Sequence, residues 1–309
     1  MFNSKHLALL SYLTVCIVWG STYLAIRVGV TDMPFLIFAG IRFSAAGILL
    51  LIISRLKGWA FPPGWRDYRA HILIGMLLLF VCNGLTCWAE QYLDSSLTAL
   101  LGASLPLFTA AIENLLPREQ RTGLLNWVGL FIGFGGVAVL VSPQFRLKGN
   151  TWPAIVGVLC SSVIWAAGSI YLNRNPIRGA MIPGVGIQML SAGVVFLLLS
   201  AFSGNFTLSD MSASGLAALL YLIFFGSILA YSSFYYMIKV TPPAKAGTYA
   251  YINPLVAMIL GVLILKENLT MQSIVAALVI LGGVLLVHIS RYAPQKATPA
   301  PEQQKELGR

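Results

Sequence analysis

Apolar stretches of about 20 residues recur along the whole chain, separated by short polar connections. A helix of that length crosses the hydrocarbon core of a bilayer, since each residue advances the helix by about 1.5 Å. Ten such stretches are predicted, at residues 7–29, 33–54, 71–93, 96–116, 124–142, 152–172, 181–203, 212–238, 244–265 and 271–289. The pattern therefore predicts an all-α membrane protein with ten transmembrane helices.

The second part of the chain repeats the first. Residues 97–119 (LTALLGASLPLFTAAIENLLPRE) resemble residues 245–267 (KAGTYAYINPLVAMILGVLILKE), which lie 148 positions later. At this offset Pro106 aligns with Pro254. A helical proline removes one backbone hydrogen bond, and its ring collides with the carbonyl four residues earlier. In lipid, such a break persists only where protein or water accommodates the freed carbonyl. We predict that Pro106 and Pro254 are hinges in two bent helices that face a shared pathway.

The repeat covers nearly the whole chain, because Trp19 also aligns with Trp165 at an offset of 146. We therefore predict two five-helix repeats, residues 7–142 and 152–289, and a polar, proline-rich cytoplasmic tail, residues 290–309, that is disordered. Because five is odd, the second repeat enters the membrane from the opposite face, so the repeats are inverted. Inverted repeats place the substrate site of a transporter near the membrane midplane, at broken helices.

The composition narrows the class further. The chain is 58% hydrophobic and 10% charged, and its mean hydropathy is +0.81, which excludes a soluble protein of this length. Its net charge of +10 comes from basic residues in short connections, and no basic face carries interleaved aromatics, so no nucleic acid partner is predicted. Most of the 20 Lys and Arg residues fall on the side that also holds both ends of the chain. Both termini are therefore predicted to be cytoplasmic.

Sequence motifs of enzymes are missing from the chain. It contains no GxSxG, HExxH, Walker or Rossmann pattern, and its 3 histidines are too far apart for a metal site. We expect no enzymatic activity, no metal and no cofactor. The expected partners are a small-molecule substrate and the lipid bilayer, with protons as a candidate coupling ion; the oligomeric state, with a monomer among the options, stays open.

Aromatic and polar side chains recur at helical spacing inside several of the spans. Residues four apart share one face of a helix, as Tyr231 and Tyr235 do, and as Tyr249 and Asn253 do just before Pro254. We predict that the substrate pathway is lined by Trp19, Asn83, Trp165, Tyr231, Tyr235, Tyr249 and Asn253. The alternative is that small polar side chains only hold neighbouring helices together.

Arg42 lies about eight residues into the second span, deep in the membrane. An arginine at the centre of a bilayer costs at least about 2.5–3.5 kcal/mol, so a partner is expected. Glu90, in the outer part of the third span, is the carboxylate at a suitable depth, while Gln188 takes the place of Arg42 in the second repeat. Two interpretations stay open: a structural tie, to Glu90 or to backbone carbonyls, or a functional role. In the second, Arg42 holds an anionic group or Glu90 accepts a proton during transport.

Five segments of the chain resemble one known family: VWGSTYLAIR (18–27), AGIRFSAAGILLL (39–51), NGLTCWAE (83–90), LPLFTA (105–110) and YAYINPLVAMILGVLILKE (249–267). They are similar to the EamA-type members of the drug/metabolite transporter superfamily, in particular the YedA-like inner-membrane permeases of bacteria. The resemblance implies ten helices in two inverted repeats, with a central cavity between helices one, three, four, six, eight and nine. It also implies secondary export of small metabolites, often amino acids or their relatives, or of toxic organic compounds.

The resulting hypothesis is a secondary transporter of the bacterial inner membrane that exports a small amphipathic metabolite by alternating access. Few charged residues line the expected path, which argues against sugar phosphates, because those require several converging Lys or Arg residues. An uncoupled facilitator of the same substrates is the alternative within transport. A membrane scaffold or sensor is the alternative from another class, and it would need no continuous pathway.

Overall fold

The computed structural model describes residues 4–115, 124–142, 151–203, 212–241 and 249–292, which form helices and connecting segments without any strand. Within these ranges, seven helices are long and apolar enough to cross a membrane: α1 (His6–Asp32), α2 (Phe35–Leu56), α3 (Trp65–Ala89), α4 (Ser95–Leu115), α6 (Thr151–Arg174), α7 (Met181–Phe202) and α8 (Ala213–Val240). Three shorter apolar helices are α5 (Leu124–Leu140), α9 (Tyr249–Leu265) and α10 (Met271–Val287).

This architecture confirms the prediction of an all-α, multi-pass membrane protein. The helices fall on the predicted apolar stretches, although three of them are shorter than a full span. The number of transmembrane helices and the inverted arrangement of the repeats stay predictions. The predicted disordered tail lies outside the described residues from position 293 onward.

Matching helices of the two halves pack against each other, α2 against α7 and α5 against α10. The crossing of α2 and α7 depends on two glycines, Gly47 and Gly193, which the offset of 146 aligns. A Cβ atom on Gly47 would lie 2.5 Å from a backbone nitrogen of α7, and one on Gly193 would lie 2.4 Å from a backbone nitrogen of α2. The two backbones are therefore in direct contact, as small residues allow in membrane helices.

The helix that contains Pro106 differs from its prediction. The sequence suggested a proline near the middle of one bent helix, but α4 is interrupted at residues 103–104, and Pro106 is the second residue of the segment Leu105–Leu115. Proline is well tolerated in a first helical turn, because its missing N–H has no partner to lose there. Pro254 lies inside α9, as expected. The hinge roles of both prolines stay predictions.

One carboxylate connects the halves at an end of the helix bundle. Glu267, between α9 and α10, accepts hydrogen bonds from Ser95 N (2.8 Å), Ser95 Oγ (2.6 Å), Ser96 N (3.0 Å) and Ser96 Oγ at the start of α4. Partial burial alone would raise the pKa of Glu267, but these hydrogen bonds outweigh it and hold the pKa below its usual value. A negative charge at a helix N-terminus is also favourable.

Replacing Glu267 by alanine should lower the free energy of unfolding by about 1–2 kcal/mol at pH 7, because the N–H and hydroxyl groups of Ser95 and Ser96 lose their acceptor. The folded pKa is depressed, so this contribution is fully present above the unfolded pKa of about 4.3 and disappears as the pH falls through the folded value. Unfolding by sodium dodecyl sulfate in detergent micelles measures both effects. The exposed neighbour Asn268→Ala is the control, and equal stability of Glu267→Ala and the natural protein at pH 7 would contradict the assignment.

Candidate functional site

A cavity lies at the seam between the two halves of the chain. Its volume is about 120 Å³, which is room for several water molecules or a small organic group. Its walls come from α1, α2, α3, α4, α6, α8 and α9. Trp19 and Trp165 lie near the middle of α1 and α6, so the cavity lies near the middle of the helix bundle.

The structure places six of the seven predicted pathway residues in the cavity wall: Trp19, Asn83, Trp165, Tyr231, Tyr249 and Asn253. Tyr235 is not among the wall residues. It is buried, with its ring centroid 6.3 Å from that of His71 and 4.8 Å from the Lys239 ammonium nitrogen. Four residues turn an α-helix by about 400°, and the excess of about 40° moves Tyr235 off the face of Tyr231. A role in substrate binding stays a prediction for the wall residues.

Aromatic rings surround Trp19 on several sides. Its ring centroid lies 5.3 Å from that of Trp165, 5.0 Å from that of Phe234 and 5.4 Å from that of Tyr249. Pairs at such distances stabilise one another beyond simple burial. Sequence reasoning missed Phe234, although it directly precedes the Tyr235 that was selected. The cluster of Trp19, Trp165, Phe234 and Tyr249, here called the aromatic cluster, brings together α1, α6, α8 and α9.

Two π-helical segments, Gly75–Cys82 in α3 and Leu222–Leu229 in α8, occupy matching places in the repeat. A π-helical turn disturbs the normal hydrogen-bond ladder of a helix. In α3 the Leu78 carbonyl accepts a hydrogen bond from Asn83 Nδ2 (3.1 Å). In α8 the Gly226 carbonyl, 148 positions later, accepts one from Trp19 Nε1 (3.2 Å). The equivalent carbonyls of the two halves, those of Leu78 and Gly226, therefore each accept a hydrogen bond from a side chain of the cavity wall.

Asn253 also connects the halves. Two carbonyls lie at one side of its side-chain amide, so the nitrogen is placed on that side. There it donates to Cys16 O (3.0 Å) and Tyr249 O (3.2 Å). Asn83 and Asn253 thus line the cavity and hold helix backbones at the same time. The two interpretations of the polar positions, pathway lining and helix contact, apply to the same residues.

Arg42 is 3% exposed and belongs to the cavity wall. Its Nε donates to Ser227 Oγ (2.8 Å), and its guanidinium carbon lies 4.7 Å from the centroid of the Phe43 ring. Its Nη1 has no hydrogen-bond partner among the described residues. The ion pair with Glu90, which the sequence left open, is not formed. Depth along a helix does not fix the direction of a side chain around it, and Arg42 extends towards α8.

Glu90 follows the last residue of α3 and is fully buried. Neither of its carboxylate oxygens has a hydrogen-bond partner among the residues that the structure describes. Its backbone carbonyl accepts a hydrogen bond from Arg27 Nη1. An ionised carboxylate in such surroundings is costly, which suits Glu90 to a proton-binding role.

A chain of three hydrogen-bonded side chains was not predicted. Tyr231 OH donates to Gln188 Oε1 (2.6 Å), and Gln188 Nε2 donates to His71 Nδ1 (2.9 Å). The sequence signal was the alignment of Gln188 with Arg42. His71 escaped notice because its span was predicted to begin at that residue, whereas α3 begins at Trp65 and buries it.

No metal or cofactor site emerges from the described ranges. Within them, no three His, Cys, Asp or Glu side chains are grouped closely enough to hold a metal ion. The wall residues of the cavity offer aromatic rings, amides, hydroxyls and one guanidinium. These groups can bind and orient a small molecule.

A multi-pass helical protein with a mixed aromatic and polar cavity near the middle of its helices has the organisation of a membrane transporter. The model of the EamA-like transporter family matches residues 6–142 and again residues 152–289. The chain therefore belongs to the EamA-like transporter family.

Relatives agree with this assignment. The chain is 42% identical over 287 residues to the inner membrane transporter YedA of Escherichia coli (strain K12), covering 92% of both proteins. It is 28% identical to the transporter YvbV of Bacillus subtilis (strain 168), covering 96% of this chain and 95% of that protein. A crystal structure of a protein with 19% identity has the same fold, with a TM-score of 0.67 over 92% of this chain and 98% of the other.

Trp19→Phe should lower the free energy of unfolding by about 1–3 kcal/mol, because the ring is largely kept while the Gly226 carbonyl loses its donor. Trp127→Phe is the matched control, since Trp127 is 44% exposed on α5. Unfolding in detergent micelles, followed by circular dichroism, compares the two variants. Equal losses in both would mean that the indole N–H of Trp19 does not stabilise the α8 segment.

Proposed function

We propose that this protein is a secondary transporter that exports a small amphipathic metabolite across the bacterial inner membrane. Amino acids, related compounds and drug-like compounds belong to that class. The observation that carries the proposal is the cavity, whose wall combines residues of both halves near the middle of the helices. The family membership supports the same function. A scaffold or sensor would have no use for such a space between its halves.

Alternating access is the mechanism that this arrangement favours. The wall includes Gly102 and Ala103 at the interruption of α4, and Asn253 and Pro254 in α9. Breaks in matching helices beside a central cavity are typical of transporters built from inverted repeats. We therefore propose ten transmembrane helices, both termini in the cytoplasm, and a rocking movement of the repeats with hinges at Pro106 and Pro254.

The wall also restricts the substrate. Arg42 is the only formally charged side chain among the described residues that line the cavity. A sugar phosphate would require several converging cations. The aromatic cluster offers flat apolar surfaces instead, so a compound with an apolar part and at most a small number of charges fits better.

Glu90 is our candidate for proton coupling. Its buried carboxylate has no hydrogen-bond partner in the described residues, and the nearby charges are those of Arg27, Arg42 and Glu267. Carboxylates inside membrane bundles commonly serve as proton relays. An uncoupled facilitator is the alternative, and it would move the same compounds without any response to a pH gradient.

The central experiment measures flux in proteoliposomes with a panel of amino acids and amphipathic drugs. Thr22→Phe should reduce the flux of transported compounds by roughly tenfold or more, because Thr22 lines the cavity and the larger ring removes space that the ligand must occupy. Ile17→Phe is the control on the same helix, since Ile17 is 60% exposed and faces away. Both variants must elute as monodisperse protein. Normal flux through Thr22→Phe would exclude this cavity as the pathway, and no flux of any panel compound would count against export.

Glu90→Gln should abolish accumulation driven by a pH gradient while exchange of the substrate at equal pH continues, because the amide cannot carry a proton. Asp94→Asn, at an exposed acidic residue on the same connection, should keep both activities. Proteoliposomes with and without an imposed gradient provide the measurement. Gradient-driven accumulation by Glu90→Gln would refute the coupling role, and no gradient response in the natural protein would favour the facilitator.

A further inference from the structure

We propose that Arg42 binds a carboxylate group of the transported compound, so that the substrates are organic acids or zwitterions with an apolar part. This inference rests on the proposed function and adds the substrate class and the anchoring residue. Arg42 is enclosed by protein, belongs to the cavity wall and has a nitrogen without a hydrogen-bond partner among the described residues.

The guanidinium is held in place before any ligand arrives. Its Nε is fixed by Ser227 Oγ at 2.8 Å, and its carbon lies 4.7 Å from the centroid of the Phe43 ring. Gly226 leaves room beside it, since a Cβ atom there would lie 3.3 Å from Nη2. An ordered side chain loses little further entropy on binding, which strengthens each bond that it then forms.

Arg42 has no hydrogen-bonded anionic partner among the described residues. The described wall residues include no Asp or Glu, and although the charge of Glu90 acts on Arg42, the Glu90 carboxylate accepts no hydrogen bond from the guanidinium. Arginine stays protonated inside proteins, so Arg42 cannot escape the cost of burial by losing its proton. Its Nη1 is buried without a hydrogen-bond partner among the described residues. A ligand carboxylate would supply both the opposite charge and the missing acceptors, with two parallel N–H···O bonds.

Gln188, at the matching position in the second half, differs from Arg42 in how its side chain is bonded. Gln188 accepts a hydrogen bond from Tyr231 OH and donates one to His71 Nδ1, so both ends of its amide are used inside the protein. Arg42 uses its Nε on Ser227, while its Nη1 stays unpaired within the described part of the chain. The two equivalent positions therefore differ, because both polar atoms of the Gln188 amide have a partner, whereas Arg42 has a buried nitrogen without one among the described residues.

The apolar part of such a ligand has a surface next to Arg42. Trp19 donates its indole N–H to the carbonyl of Gly226, the residue whose missing side chain makes room for Arg42 Nη2. The guanidinium and Trp19 of the aromatic cluster therefore both lie next to Gly226. A molecule with a carboxylate at one end and an alkyl or aromatic group at the other can contact both.

The test measures binding to the purified full chain in detergent by intrinsic tryptophan fluorescence. The probes are L-leucine, L-phenylalanine and 3-phenylpropionate, each paired with its amide. With the natural protein, we expect at least one carboxylate to bind roughly 10- to 100-fold more tightly than its amide, as charge-assisted hydrogen bonds imply. Arg42→Gln should remove this preference and leave the affinity for the amide unchanged. The control Arg55→Gln, at an exposed arginine of α2, should keep it.

Two further readouts separate ligand binding from a structural role. Arg42→Lys keeps the charge without the planar fork, and we expect an intermediate preference. The melting temperature of ligand-free Arg42→Gln should equal or exceed that of the natural protein, because an unpaired buried charge is removed. The proposal is overturned if no carboxylate is preferred, if the preference survives in Arg42→Gln, or if Arg42→Lys retains it in full. A lower melting temperature together with an equal loss of amide affinity would also overturn it.

Proteoliposomes then distinguish this inference from the proposed function. Flux of neutral amides that equals the flux of their carboxylates would refute the role of Arg42 and leave transport intact. Binding of carboxylates at Arg42 without flux of any probe would support the binding site and contradict transport of those probes.

Discussion

Inside a lipid bilayer, a backbone carbonyl that leaves its helical hydrogen bond must find another donor within the protein. In the π-helical segments of α3 and α8, the carbonyls of Leu78 and Gly226 lie at matching positions, and each accepts a hydrogen bond from a side chain. The donors are Asn83 and Trp19, which also belong to the cavity wall. The hydrogen bonds to the irregular helical segments therefore also orient two side chains at the candidate site.

Arg42 differs from Asn83 and Trp19, because one of its side-chain nitrogens has no hydrogen-bond partner among the described residues. Gln188, its counterpart in the repeat, is bonded at both ends of its amide, whereas Nη1 of Arg42 is unpaired within the described residues. A cation is expensive to bury, and stability alone would favour a second glutamine or an apolar residue. Proteins usually keep such costly groups at functional sites, where local rules of stability are broken. Its place in the cavity wall agrees with that expectation.

Much of the framework was predictable, because hydropathy and repeat offsets depend on local sequence. Apolar runs located the helices, and the alignment of Trp19 with Trp165 placed two rings of the aromatic cluster. Rotation about a helix axis was harder to predict. The direction of Arg42 depends on Ser227, a partner 185 residues away, and the position of Tyr235 depends on how α8 turns beyond its π-helical segment. His71 was missed because α3 begins at Trp65 with polar turns that lie before the apolar stretch.

The contacts between the halves indicate which parts would move in a rocking mechanism. At Gly47 and Gly193 the backbones of α2 and α7 touch directly, so these helices cannot approach further and would lose extensive packing if they separated. The links at one end of the bundle are polar instead: Glu267 with Ser95 and Ser96, and Asp32 with Ser212. Polar contacts at the end of a bundle can be replaced by hydrogen bonds to water at a net cost of about 1 kcal/mol each, whereas apolar backbone packing has no such replacement. A rocking movement would therefore keep the α2–α7 crossing as its pivot and open and close the polar end, with the cavity between them.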